Sequence, residues 1–317
     1  MRNGGGAIAG LVGRCPAIES LRREVMQLGP SDMRVHVFGE TGTGKERVAR
    51  ALHELSPRAT RRFVALNAAG FGDELLAAEL FGHARGAFTG AVMAREGYVA
   101  QAEGGTLFID EVAELSALAQ ARLLRFLQEG EYQRLGETAL RKADVRIISA
   151  TNVELARRVD EGRFRKDLWY RLNAERLVVP PLRERGRDVL LLARHFLALQ
   201  AAARGVAAPS LAPATEDALV AHSWPGNVRE LENEAERLVV RAAGRVVGPE
   251  QLSTGIGTVS PMRGTLRLAL RRVESEMVRE ALARHAGRQA SAAAELGITR
   301  QALWAKRRRL GGELESR

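Results

Sequence analysis

Few sequence features restrict a fold as tightly as the run Gly39-Glu40-Thr41-Gly42-Thr43-Gly44-Lys45-Glu46, which lies between an apolar tetrapeptide, Val35–Phe38, and a stretch of helical periodicity. Glycines at this spacing let successive backbone N–H groups curl around phosphate oxygens, and the helix N-terminus behind them adds a favourable dipole. Lys45 stands where a lysine reaches the β- and γ-phosphates of a nucleotide, whereas Glu46 takes the position at which such loops carry a Ser or Thr for Mg2+. A glycine-rich strand-to-helix turn with no ligand would carry the same residues, so a second piece is needed.

That piece is Thr106-Leu107-Phe108-Ile109, a buried-strand run ending in Asp110-Glu111. An acidic pair at the carboxyl end of a parallel strand lies where such sheets bind ligands. There Asp110 can hold Mg2+ while Glu111 orients an attacking water, the division of labour that phosphoryl transfer requires. A helix N-cap followed by a first-turn acid is the structural alternative, but it leaves the upstream glycine run without a reason.

Other strand-like runs are Phe63–Leu66, Val145–Ala150 and Arg176–Val179, alternating with helical segments such as Ser116–Gln128, in which Leu118, Leu124 and Leu127 fall near one face. Strands alternating with helices predict an α/β fold with a parallel sheet. The pattern turns helical from Arg187 to Ala243 and then rich in Gly, Ser, Thr and Pro. The expected layout is a short tail over 1–10, an α/β unit over 11–182, a helical lid over 183–245, a linker over 246–265 and a helical tail over 266–317.

Composition narrows the class. At 45% apolar and 27% charged residues, the 317-residue chain can build real cores, which excludes disorder. Its longest run without a charge, Gln251–Met262, is mostly polar, so no transmembrane helix is expected. A single cysteine, Cys15, suits a reducing cytoplasm. The net charge is +10, and residues 256–317, with thirteen basic and six acidic side chains, supply +7 of it. A compact basic tail fits a nucleic-acid contact; a solvated charged helix would give the same count.

In the tail, helices are expected over Leu266–His285, Arg288–Leu296 and from Thr299, a good N-cap, to Leu310. Gly297 makes the turn before the last, which is strongly basic, so the pair fits a helix-turn-helix with Ala293, Leu296, Ile298 and Leu303 as its core. Arg300, Gln301 and Lys306 could then face the major groove, with Arg307, Arg308 or Arg309 on phosphates. An amphipathic helix that docks on protein is the rival.

With these pieces placed, the chain resembles the bacterial enhancer-binding proteins, the AAA+ ATPases that activate sigma-54 RNA polymerase, from Leu11 to Leu310. The most specific element is Gly86-Ala87-Phe88-Thr89-Gly90-Ala91. In that family the hexapeptide tips a loop that touches sigma-54. The residues agree with such a role: Gly86 and Gly90 permit a tight turn and leave Phe88 as the only large apolar group, available to a partner.

The resemblance implies an AAA+ fold using ATP and Mg2+, and it implies further roles one residue at a time. The catalytic set would be Lys45, Asp110, Glu111, the switch residue Asn67, and the finger candidates Arg165 and Arg171 in GRFRKDLWYRLN. ATP would be held by Gly39 to Glu46, Asp110, Glu111, the first-sensor pair Thr151 and Asn152, and Arg229 of the second-sensor string Trp224–Leu231. In the Fis-type tail, Arg288, Thr299, Arg300, Gln301, Lys306, Arg307 and Arg308 would bind enhancer DNA, as a dimer on a palindromic site.

Implied partners are sigma-54 RNA polymerase holoenzyme and further copies of the chain in a ring, by family habit a hexamer. Only about ten residues precede the ATPase unit, so the expectation is control by an inhibitory or regulatory protein in trans, or a truncated chain. A bacterial cytoplasmic location follows. Two alternatives remain: an AAA+ remodeller of another client, disfavoured by the intact hexapeptide, and a nucleotide sensor that never hydrolyses, disfavoured by the Asp110–Glu111 pair.

Overall fold

The computed structural model describes residues 10–242, 244–256, 277–278, 281–282, 284–285 and 288–303. The chain opens with α1 (Pro16–Leu28), β1 (Val35–Phe38), α2 (Lys45–Glu54), β2 (Phe63–Asn67) and α3 (Asp73–Phe81). Next come the short pair β3 (Gly82–His83) and β4 (Arg95–Glu96), then α4 (Tyr98–Gln101), β5 (Thr106–Asp110) and α5 (Ala117–Glu129). A second pair, β6 (Glu131–Tyr132) and β7 (Arg141–Lys142), precedes β8 (Arg146–Thr151), α6 (Leu155–Asp160), α7 (Lys166–Leu172) and β9 (Glu175–Val178). Helices α8 (Asp188–Ala203), α9 (Pro213–Ala221) and α10 (Asn227–Ala242) follow, with α11 (Gln289–Glu295) in the tail.

Five strands form one parallel sheet in the order β2-β5-β8-β1-β9. Side chains alternate between faces along each strand. Leu107, Ile109 and Ile147 therefore join a core with Leu76, Phe81, Leu123 and Leu168 under α3, α5 and α7. Phe108, Ile148, Val35 and Val37 point the other way and meet Val48 and Leu52 of α2 and Leu21 and Val25 of α1. Both faces are covered, which is why these strands read as continuous apolar runs.

The α5 face differs from the one read in sequence. Ser116 caps the helix by accepting from Ala119 N–H at 3.3 Å, and the buried side is Ala119, Leu123, Leu124, Phe126 and Leu127. Leu118 is 46% exposed. At 100° per residue it lies roughly opposite Leu127, so three leucines did not make one stripe.

Helices α8, α9 and α10 enclose a separate core around Trp224, Leu190, Leu197, Leu231 and Leu238. Val247, Leu252 and Ile256 are buried in it too. The chain is thus packed through residue 256, where its composition suggested a linker from 246. Three well-spaced apolar side chains suffice to seat a segment that is otherwise Gly, Ser and Thr.

The chain divides into compact units at residues 1–257 and 258–317. In the second, Val278, Ala281, Ala292, Ala293 and Leu303 form a small core, with Leu296 and Ile298 packed against it. Thr299 Oγ1 accepts from Ala302 N–H at 3.1 Å, the cap expected there. The greater part of the helix expected over Leu266–His285, together with Lys306, Arg307, Arg308 and Arg309, lies outside the described residues. Among the described residues no helix is long and apolar enough to cross a membrane.

Candidate nucleotide site and its relatives

Strands β5, β8 and β1 are neighbours. Their carboxyl ends therefore deliver Asp110-Glu111, Thr151-Asn152 and the glycine-rich loop to one edge. Gly42 (φ +78°) and Gly44 (φ +98°) turn that loop through left-handed conformations into α2. A methyl group on Gly44 would meet nothing within 4 Å, so the cradle is open there. On Gly42 it would lie 2.3 Å from Gly226 O, so loop and lid meet backbone to backbone.

Lys45 is only 6% exposed. Its Nζ donates to Gly39 O at 3.0 Å and stands 3.8 Å from Glu111 Oε1. Glu111 adopts φ +51°, which costs a non-glycine residue on the order of 1–3 kcal/mol and recurs at functional sites. Burial pushes its carboxyl above the ordinary 4.5, against the pull of Lys45. Glu111 N–H donates to Asp110 Oδ1 at 3.0 Å.

The residues present fit Mg2+ carried on a nucleotide. Among the described residues, one Asp110 oxygen keeps no hydrogen bond at the strand end, and there is no cluster of three metal-binding side chains. Mg2+ is commonly held by one or two carboxylates plus phosphates rather than by a protein cage.

Other expected site residues are arranged with more variety. Asn152 Nδ2 donates to Thr41 Oγ1 at 2.8 Å, tying the first-sensor position to the loop. Thr151 is buried and accepts from Val153 N–H at 3.1 Å. Asn67 pairs in register with Asp110, but its side chain accepts from Ala69 N–H at 2.9 Å rather than bonding Glu111. Glu46 points at Arg50, 2.6 Å away on the helix surface. Thr43 Oγ1 donates to Glu40 O at 2.7 Å.

Sequence reasoning named Arg229 in the lid but passed over its neighbours. Arg229 N–H donates to Gly42 O at 3.2 Å, and its side chain lines a cleft of 420 Å3 with Thr41, Gly226 and Glu230. Asn227, fully buried at φ +53°, donates to Thr41 O and Glu40 Oε2, each at 3.1 Å. Arg183 forks onto Glu40 at 2.6 and 2.8 Å. That pairing, helped by Asn227, holds the Glu40 carboxyl down at about 2. Arg185 reaches Thr43 O at 2.9 Å, and burial lowers its guanidinium to about 10. The one available signal was the density of charge beside the hinge prolines, in Pro180-Pro181-Leu182-Arg183-Glu184-Arg185.

Among the described residues, neither Arg165 nor Arg171 makes a hydrogen bond or ion pair with these residues. Arg165 is paired with Asp167 at 2.7 Å beside the exposed Tyr170. Arg171 is exposed on α7, and its side chain makes no hydrogen bond or ion pair among the described residues.

The hexapeptide follows β3. Gly86 (φ +77°) and Gly90 (φ +102°) bracket a turn closed by Gly86 N–H to Ala91 O at 2.8 Å. Thr89 is exposed, whereas Phe88 is half-buried, its ring edge-on to His83 at 5.0 Å. The aromatic ring is thus less open than sequence suggested, because β3 supplies a partner for it. Arg288, Arg300 and Gln301 are exposed in the tail unit.

Comparison with known proteins agrees with this geometry. Residues 11–178 match the sigma-54 interaction domain, 183–266 the AAA+ ATPase lid domain, and 269–310 the bacterial regulatory protein, Fis family. The transcriptional regulatory protein ZraR of Escherichia coli K12 is 44% identical over 299 residues, covering 94% of this chain and 68% of ZraR. NtrC of Salmonella typhimurium is 50% identical over 242 residues, covering 76% and 52%. Among solved structures, NtrX from Brucella abortus in complex with ATP superposes with a TM-score of 0.75 at 35% identity, over 95% of this chain and 69% of NtrX. An α/β AAA+ unit carrying the sigma-54 interaction domain, a helical lid and a Fis-type helix-turn-helix together place this chain in the family of sigma-54-dependent transcriptional activators.

Proposed function

We propose that the protein hydrolyses ATP to remodel closed complexes of sigma-54 RNA polymerase while its tail holds enhancer DNA. The observation that carries this reading is the approach of Lys45 and Glu111 to 3.8 Å beneath the open glycine cradle. Lys45 neutralises the β- and γ-phosphates, and Glu111, its proton affinity raised by burial, takes a proton from the attacking water. The water oxygen bonds to the γ-phosphorus as the bond to the ADP oxygen breaks. Mg2+, held by Asp110 and the phosphates, would supply charge neutralisation.

Thr151, Asn152 and Arg229 read the γ-phosphate, and Asn67 leaves Ala69 to restrain Glu111 at one stage of the cycle. Arg165 and Arg171 serve a neighbouring protomer's nucleotide in a ring, by family habit a hexamer. Their exposure supports that assignment. The loop Gly86-Ala87-Phe88-Thr89-Gly90-Ala91 engages sigma-54, with Phe88 leaving His83 as it does so.

Arg288, Thr299, Arg300 and Gln301, together with Lys306, Arg307 and Arg308, contact a palindromic site as a dimer, and a separate protein in trans supplies control. NtrX solved with ATP supports nucleotide binding here. The working boundaries are 11–182 for the ATPase unit, 183–256 for the lid and 266–317 for the DNA-binding unit. Transcription in vitro with sigma-54 holoenzyme, ATP and a supercoiled promoter tests the reading. Open complexes should require both protein and ATP, and equal yields without either would refute it.

A further inference from the structure

Three consecutive carbonyls of the phosphate loop are gripped from the lid side. Thr41 O accepts from Asn227 Nδ2 at 3.1 Å, Gly42 O from Arg229 N–H at 3.2 Å, and Thr43 O from Arg185 Nη2 at 2.9 Å. In a trans peptide the C=O and N–H point opposite ways. Gripping these carbonyls therefore turns the N–H groups of Gly42, Thr43 and Gly44 to the other side. Thr43 N–H closes a turn on Glu40 O at 3.3 Å. Those of Gly42 and Gly44 have no hydrogen-bond partner among the described residues, and Gly44 faces open space.

The gripping groups are themselves immobilised. Asn227 is fully buried, and its Oδ1 accepts from Leu182 N–H, at the entrance to the lid, at 2.8 Å. Arg185 is 4% exposed, and its guanidinium also holds Pro180 O at 2.8 Å. One buried carboxamide thus joins loop, hinge and lid helix.

We propose that Asn227 and Arg185 are positioning residues that hold the phosphate loop by its carbonyl side, so that its N–H side is set for a nucleoside triphosphate before the nucleotide arrives. This rests on the ATP reading above. Neither residue touches phosphate. Their effect is to spare the incoming nucleotide the cost of ordering the loop, so it falls on affinity more than on the chemical step.

The test is Asn227→Asp in the full chain, read with a fluorescent ATP analogue, steady-state ATPase kinetics and thermal unfolding. Aspartate keeps the oxygen that accepts from Leu182 N–H and tolerates the left-handed backbone. The donor facing Thr41 O and Glu40 is lost, and a carboxylate takes its place beside Glu40. The dissociation constant and KM should both rise about tenfold or more, while kcat at saturation changes less than about threefold, in a variant that thermal unfolding shows to be folded. Adding Glu40→Gln gives position 40 an amide that donates to the new carboxylate, and should recover at least about threefold of the affinity.

Wild-type affinity in a folded Asn227→Asp protein overturns the proposal, as does a fall in kcat with KM unchanged. Should that variant not fold, Arg185→Lys decides in the same way: weaker nucleotide binding supports the grip and unchanged binding overturns it. A wild-type protein that binds no nucleotide would instead overturn the ATP reading itself.

Discussion

Lys45 and Glu111 face each other at 3.8 Å, beyond hydrogen-bond reach yet close enough for their charges to couple. The ammonium hangs from Gly39 O rather than from the carboxylate, which leaves Glu111 available as a base.

Glu111→Gln should therefore lower ATP turnover by about 100-fold or more while leaving nucleotide affinity within about threefold of wild type. Phosphate release and equilibrium binding, measured side by side, check it. Equal and negligible turnover in both proteins would favour a sensor that does not hydrolyse.

Thr89→Ala should separate hydrolysis from output. Thr89 is exposed at the tip of the hexapeptide and supports no core, so ATPase activity and the unfolding midpoint should match wild type while sigma-54-dependent transcription is lost. A variant that still activates the promoter would remove the loop from the mechanism.

His36 gives the fold a pH dependence with a defined sign. It is buried between strands, bonded to Ser149 Oγ at 2.9 Å, and burial lowers it from 6.5 to about 4. Between those values the unfolded chain binds the proton and the folded one does not, so stability falls as pH drops from 6.5 toward 4, at up to roughly 1.4 kcal/mol per pH unit. His36→Gln should flatten that part of the curve in denaturant titrations at pH 7 and pH 5. An unchanged slope would show that His36 does not titrate as its burial requires.

Leu123 and Leu118, five residues apart on α5, should respond oppositely to truncation. Leu123 is fully buried, and Leu123→Ala should cost about 2–5 kcal/mol of unfolding free energy. Leu118 is exposed, and Leu118→Ala should stay within about 0.5 kcal/mol. Urea titration of both variants measures the contrast.

The parts of the site legible in sequence are those whose chemistry is local. Gly39 to Lys45 and Asp110-Glu111 each announce themselves within a few consecutive residues, and the strands that carry them are mostly apolar runs. Asn227 and Arg185 were not legible, because their partners lie 186 and 142 positions away and their roles depend on burial and, for Asn227, a left-handed backbone. Asn67 shows a further limit: its residue type and strand-end position were readable, but the bond it makes to Ala69 was not. Composition also misled over 246–256, where an average over glycines and serines hid Val247, Leu252 and Ile256.

The contact between Gly42 and Gly226 has a mechanical meaning. Because main chain rests on main chain there, that contact has no side chain of its own to trim or rotate. A single added methyl at position 42 would act as a wedge, 2.3 Å from Gly226 O and 3.2 Å from Arg229 Cβ, propping the joint ajar. At that one point the joint bears on main chain, while the side chains of Asn227, Arg185 and Arg183 tie it on either side.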